Sequence, residues 1–141
     1  MKCDFKKEGY RIINNGDLFK FEDLLALYAQ TYWAKSRSID VIEKSLKHSL
    51  FYGIMNNEKL IGFSRWITDY ATYAYLCDVI IDEGHRGKGL GKWMISKALL
   101  RPDLSTLRRL SLITKDAQGV YEALGFKKIE HSERYMEIFR C

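Results

Sequence analysis

The sequence predicts an α+β fold, one mixed β-sheet flanked by helices. Three observations carry that expectation. The period of apolar residues switches between 3.6 and 2 along the chain, one strand is apolar on nearly all of both faces, and that strand runs through a glycine-rich loop into a helix. At 141 residues the chain fits a single domain, 1–141, because separate cores each need about 100 residues or more. Hydrophobic residues make up 47% of it and aromatic residues 13%, enough apolar surface to oppose the entropy of ordering and to exclude disorder as the main state.

Gly9-Tyr10-Arg11-Ile12-Ile13 reads as a first strand and Asn14-Asn15-Gly16-Asp17 as a turn. Leu24, Leu25, Leu27, Tyr28 and Tyr32 then recur at helical spacing within Leu18 to Trp33. A second helix, capped by Ser38 or Asp40, carries the stripe Ile39, Ile42 and Leu46, with Val41 and Leu50 beside it. From Phe51 the period falls to two. Phe51 to Met55, a turn over 56–59 and Leu60 to Ile67 make an antiparallel hairpin.

Thr72 to Asp82 is the next strand, and its centre, Tyr75 to Ile81, is apolar except for Asp78, which places it in mid-sheet. The loop Gly84 to Gly91 opens a helix containing Leu90, Trp93, Met94, Ala98 and Leu99, ended by Arg101-Pro102. Leu107 to Thr114 follows as a strand. Asp116 then caps a short helix through Tyr121 to Leu124, Gly125 stops it in a left-handed position, and Phe126 to Ile129 with Tyr135 to Ile138 form a last hairpin. The expected order is β-α-α-β-β-β-α-β-α-β-β.

Cys3, Cys77 and Cys141 are odd in number and lack CxxC spacing, so they read as free thiols of a reducing compartment. His48, His85 and His131 lie about forty residues apart with no cysteine beside them, so no metal site is expected. The first residues lack an apolar run and no stretch is long enough to span a bilayer, which points to a cytoplasmic protein without a membrane partner. A net charge of +5 suits an anionic ligand. The basic residues Arg101, Arg108, Arg109, Lys127 and Lys128 are spread over different elements without a stacking motif, so no nucleic-acid partner is expected.

Ile80-Ile81-Asp82-Glu83-Gly84-His85-Arg86-Gly87-Lys88-Gly89-Leu90-Gly91-Lys92 passes from buried strand to helix N-terminus through a basic, glycine-rich loop. Glycines let backbone N–H groups converge, the helix end favours negative charge, and Arg86, Lys88 and Lys92 add positive charge, so this geometry binds phosphate. The GxxxxGK[ST] loop fails, with Arg86 at its first glycine and Trp93 after Lys92, and GxGxxG fails at Lys92. What remains is Arg-x-x-Gly-x-Gly, in Arg86, Gly89 and Gly91, directly after an apolar strand.

With this motif, the element order from Gly9 to Ile138 and a later Tyr121-Glu122-Ala123-Leu124-Gly125-Phe126, the chain resembles the GNAT superfamily of N-acetyltransferases. The resemblance implies a GNAT-like fold and acetyl-CoA as cosubstrate. It implies that Val79, Ile80 and Ile81 lend backbone groups to the pantetheine arm, and that Arg86, Gly87, Lys88, Gly89, Leu90, Gly91 and Lys92 hold the pyrophosphate. Plain sheet core also accounts for Val79 to Ile81, and solvated lysines for Lys88 and Lys92. The reaction implied is attack of a neutral primary amine on the thioester in a ternary complex, with Tyr121 as the acid for the thiolate or simply a packing residue. Asp78 is the one acid on the central strand. It acts as a base through water or as a hydrogen-bonded structural group near a bulge, and strict alternation puts it on the face opposite Tyr75. Cys77 reads as a small buried hydrophobe and His85 as an exposed loop residue. Thr114 stands where many family members carry asparagine. Tyr32, Trp33, Trp66, Tyr70 and Tyr73 lie in the stretches that set acceptor choice in the family. The chain is expected as a monomer or homodimer, and the competing reading is a non-catalytic acyl-CoA-sensing module.

Overall fold

The structure, a computed structural model, describes residues 4–140. Cys3 and Cys141 lie outside them. Tyr10–Asn14 (β1), Leu50–Asn56 (β2), Lys59–Thr68 (β3), Tyr73–Ile81 (β4) and Arg109–Leu112 (β5) form one sheet in the order β1-β2-β3-β4-β5. The first four strands are antiparallel neighbours, and β5 joins parallel to β4 after a helical crossover.

Each face of the sheet has its own core. Phe21–Ala29 (α1) and Ile39–Lys47 (α2) cover one face, where Leu24, Leu27, Tyr28 and Ile42 pack against Ile13, Phe51, Phe63 and Ile80. Leu90–Leu99 (α3) and the single turn Pro102–Ser105 (α4) cover the other, where Leu90, Met94, Ile95, Ala98 and Leu104 meet Tyr52, Ile54, Trp66, Ala74 and Leu76. The alternation of Leu50, Tyr52 and Ile54 to one core with Phe51 and Met55 to the other is the period-two pattern of a strand buried on both sides. No helix among the described residues is long and apolar enough to cross a membrane.

Local chemistry sets most boundaries. α1 is shorter than its apolar pattern: Leu18 is 91% exposed, Asp17 Oδ2 is taken up by the Asn14 N–H, and at the far end Thr31 accepts the Ala34 N–H and turns the chain out. Of the two candidate caps for α2, Ser38 is the one used, its Oγ accepting the Val41 N–H at 3.3 Å. The β2–β3 turn is tight because Asn57 adopts φ 56°. Pro102 ends α3 and also starts α4, a position where its missing N–H costs nothing.

Two expectations at the C-terminal end are corrected. Asp116 caps nothing. The short helix Gln118–Glu122 (α5) begins at Ala117 without a side-chain cap, and Thr114 Oγ1 instead accepts the Ala117 N–H at 3.1 Å. Gly125 does take the expected positive φ of 102°. The last hairpin is absent: 126–129 and 135–138 form no ladder, and Ser132–Arg134 is a 3-10 turn between them. A strand is fixed by burying one face, and Met136, Ile138 and Phe139 are 96%, 80% and 77% exposed. The sheet therefore ends at β5, beside a cleft of about 430 Å³ walled by Leu110, Leu112, Tyr121, Phe126 and Ile129 among others.

Candidate active site

The centre of the candidate site is a fault in β4. Arg65 pairs with Asp78 and Trp66 with Leu76, so Cys77 is an extra residue, a β-bulge. Pairing with β5 covers only Tyr73 to Leu76 and stops at the same point, leaving Cys77 to Ile81 without a neighbour on that side. The sheet is split there. The Asp82 N–H donates to the Ile61 carbonyl at 2.8 Å, which fixes the alternation: the backbone groups of Ile81 and Val79 point away from β3 into the split, and those of Ile80 point towards Phe63. Ile80 is therefore core, 3% exposed with its backbone in the ladder, rather than a residue that offers groups to a ligand. The Ile81 carbonyl is already met, accepting from Arg86 Nε at 2.8 Å.

The glycine loop follows directly. Asp82 opens a 3-10 turn, Glu83–His85, by accepting the Gly84 N–H, and its other oxygen takes the amide of Gln30, which in turn accepts the Glu83 N–H. These bonds tie the loop entrance to the end of α1 and hold the Asp82 carboxyl below its ordinary value, chiefly through Gln30. Tyr10 adds a second tie, its hydroxyl 2.6 Å from His85 Nδ1. Gly87 and Gly89 have φ of 82° and 86°, a conformation that L side chains disfavour, and Gly89 is the N-cap of α3. Nothing lies within 4 Å of a Cβ built on either glycine, so their surroundings are open. Arg86, Lys88 and Lys92 are exposed around this helix end, while Leu90 is 2% exposed and anchors the loop in the core. Gly91 has no left-handed requirement; a Cβ there meets only Ile81 at 3.7 Å.

On the α1–α2 face, beside the bulge, lies a buried charged cluster. Asp78 is 2% exposed, and its Oδ2 accepts from Tyr28 Oη at 2.7 Å, Arg65 Nε at 2.8 Å and Arg37 Nη1 at 2.9 Å. Burial pushes the Asp78 carboxyl up, but the bonds from Arg65 and Tyr28 and the charges of both arginines outweigh it, and the group is held below the usual carboxylate range. Burial and the Asp78 charge raise Tyr28 far above its ordinary value. Burial also pushes the Cys77 thiol up to about 11. The extra residue at Cys77 reverses the alternation, so Asp78 shares a face with Tyr75 rather than opposing it, which corrects the parity expected from the sequence.

Tyr121 projects from α5 as a partly buried residue packed against the α3-side core, edge-on to Phe126 with ring centroids 5.9 Å apart. Burial alone raises its hydroxyl above the ordinary value, so it is protonated at neutral pH. It also borders the cleft beside β5, which no residue of 79–92 reaches. Among the described residues no group of histidine, cysteine and carboxylate side chains is arranged to hold a metal ion. Reading the residues singly missed Tyr28, Arg37, Arg65 and Gln30. Arg65 carried a signal, as a lone charge in an otherwise apolar strand requires an acidic partner on a neighbouring one.

The family described as the acetyltransferase (GNAT) domain matches residues 47–128, from the end of α2 through the split strand and glycine loop to Lys128. The histone acetyltransferase TAP1 of Glycine max is 32% identical over 133 residues, 82% of this chain and 55% of its own length, so the chain spans about half of that relative. A GNAT-family protein of Xanthomonas campestris pv. campestris has a crystal structure that superposes with a TM-score of 0.87 at 33% identity over 93% of both chains. The aminoglycoside N-acetyltransferase AAC(6')-Iy, solved in complex with CoA, shares the fold, with a TM-score of 0.67 at 18% identity over 94% of both chains. By the family match, which covers more than half its length, the chain belongs to the GNAT acetyltransferase domain family.

Proposed function

We propose that this chain transfers an acetyl group from acetyl-CoA to a primary amine by direct attack in a ternary complex. The observation that carries the reading is the split beside β4: the backbone N–H and carbonyl of Val79 and the N–H of Ile81 open directly onto a loop whose Gly87 and Gly89 cradle leads into the N-terminus of α3. An extended amide-bearing arm pairs with such a strand edge, and a pyrophosphate suits such a helix end. Arg86, Gly87, Lys88, Gly89, Leu90, Gly91 and Lys92 are the residues assigned to the pyrophosphate.

The chain's own groups then have three tasks. An alkyl ammonium with a pKa near ~10.4 must lose its proton before attack. The tetrahedral oxyanion needs a donor, and the departing thiolate needs a proton. Tyr121, kept protonated by burial, is assigned the last task. Asp78, a carboxylate held ionised by two guanidiniums, is a weak base, and we assign it the positioning of Arg37 and Tyr28 on the acceptor side, with water taking the amine proton. Cys77, its thiol protonated at neutral pH, is assigned no covalent step.

Titration of acetyl-CoA tests the binding half of this reading. The wild-type chain binds it, and Gly89→Glu, which sets a side chain and a negative charge in the cradle, abolishes binding; equal affinity in the two proteins refutes the loop assignment.

A further inference from the structure

We infer that the amine acceptor carries an oxyanion, a carboxylate or a phosphate, which docks on Arg37 beside the β4 bulge. This rests on the acetyl-transfer reading above and adds the substrate class to it. Two guanidiniums, Arg37 and Arg65, share one carboxylate, Asp78, and all three of the donors that reach Asp78 end on a single oxygen. The cluster therefore holds one positive charge more than it neutralises. Among the described residues no neighbour supplies the missing anion: Tyr28, Tyr75 and Cys77 are all shifted upwards, mainly by burial, and stay neutral. Asp40, in the first turn of α2, is exposed and makes no ion pair with Arg37.

The surplus sits on Arg37 rather than Arg65. Arg65 is 9% exposed, and its Nε and Nη1 are both used, on Asp78 and on Ser49 Oγ. The Arg37 side chain is 25% exposed, and among the described residues Asp78 is its hydrogen-bond partner through Nη1 alone. A guanidinium has five N–H donors in a fixed fork, so most of those on Arg37 remain for a ligand. Its Cζ lies over the Tyr28 ring, 5.3 Å from the centroid. A partly exposed guanidinium with spare donors, tethered through Nη1 to Asp78, matches the bidentate geometry of carboxylate and phosphate.

The same surplus acts on the nucleophile. A net positive charge beside the bulge disfavours an ammonium and favours the neutral amine that must attack, which suits a site with no strong base. It also repels acceptors with several positive charges, so polyamines and aminoglycosides rank last.

Paired acceptors test this with the full chain and acetyl-CoA: amino acids against their carboxamides, phosphoethanolamine against ethanolamine, and spermidine as the polycation. The wild type is expected to use the better oxyanion-bearing class with kcat/KM roughly 10- to 100-fold above its neutral partner, the range of one charge-assisted contact. Arg37→Gln collapses that ratio towards one, and Arg37→Lys restores part of it. Carboxylate and phosphate pairs show which oxyanion is read. Equal or better use of the neutral partners or of spermidine overturns the inference, as does an equal loss on both members of each pair in Arg37→Gln. A thermal-shift arm with N-acetyl amino acids, their amides and N-acetylphosphoethanolamine needs no turnover. Stabilisation of the wild type but not of Arg37→Gln by an anionic member supports the inference even if acetyl transfer fails, and the absence of that difference refutes it.

Discussion

Arg65 Nε lies 2.8 Å from Asp78 Oδ2 across the last β3–β4 pair before the bulge, so the ion pair marks the point where the sheet opens. Because Asp78 is buried with two guanidiniums and a tyrosine hydroxyl on one oxygen, removing its charge strands two cations. Asp78→Asn is expected to lose about 3–5 kcal/mol of unfolding free energy in urea titration, the cost of breaking a buried pair from one side. A loss under 1 kcal/mol shows that the cluster does not hold the α1–α2 face.

The same group sets an acid limit. A carboxylate held below its unfolded value of ~3.9 contributes stability that is complete above that value and is lost as pH falls through the folded one. Unfolding midpoints of the wild type are expected to drop below about pH 4, and Asp78→Asn to lack this component of the drop. Parallel curves for the two proteins contradict it.

Gly89 carries a backbone requirement separate from ligand binding. With φ at 86° and open space around its Cβ position, Gly89→Ala meets no clash but must hold a left-handed conformation. The expected loss is about 1 kcal/mol, read by chemical denaturation without ligand. No loss, or a gain, shows that the loop relaxes to another conformation.

These residues show how far local pattern reaches. The apolar runs, the turn at Asn57 and the glycine loop are contiguous signals, and each was legible because its physics is confined to a few neighbouring positions. The partnership of Arg65 with Asp78 depends on strand register, and the face of Asp78 depends on one extra residue at Cys77 that reverses the alternation, so neither follows from period alone. Arg37 reaches the same carboxylate from a loop 41 positions away. The final hairpin failed for a related reason. The alternation in Tyr135 to Ile138 resembles a strand, but a strand needs a partner and a buried face, and these residues have neither.

Cys77 is expected to be a slow thiol. Burial pushes it up to about 11, so the thiolate that alkylates is scarce at pH 7. Iodoacetamide labelling followed by peptide mapping is expected to modify Cys77 far more slowly in the native chain than in denaturant, and Cys77→Ala is expected to retain acetyl transfer. Rapid native labelling, or loss of transfer in the alanine variant without loss of folding, contradicts this.

A substitution at Tyr121 tests chemistry apart from binding. Its hydroxyl is raised by burial alone, so Tyr121→Phe removes a proton donor and leaves the packing against Phe126 in place. Turnover is expected to fall roughly 10²- to 10⁴-fold, the usual contribution of one general acid, with acetyl-CoA affinity and thermal stability little changed. Equal turnover reduces Tyr121 to a packing residue.

The most direct measurement is the release of free CoA thiol from acetyl-CoA with the purified chain and pooled amines, namely amino acids, phosphoethanolamine, aryl amines, diamines, aminoglycosides and short peptides. Release that depends on an added amine pool and is lost in Gly89→Glu is the expected result. Acetyl-CoA that binds but is not turned over with any pool contradicts it and leaves an acyl-CoA-sensing module.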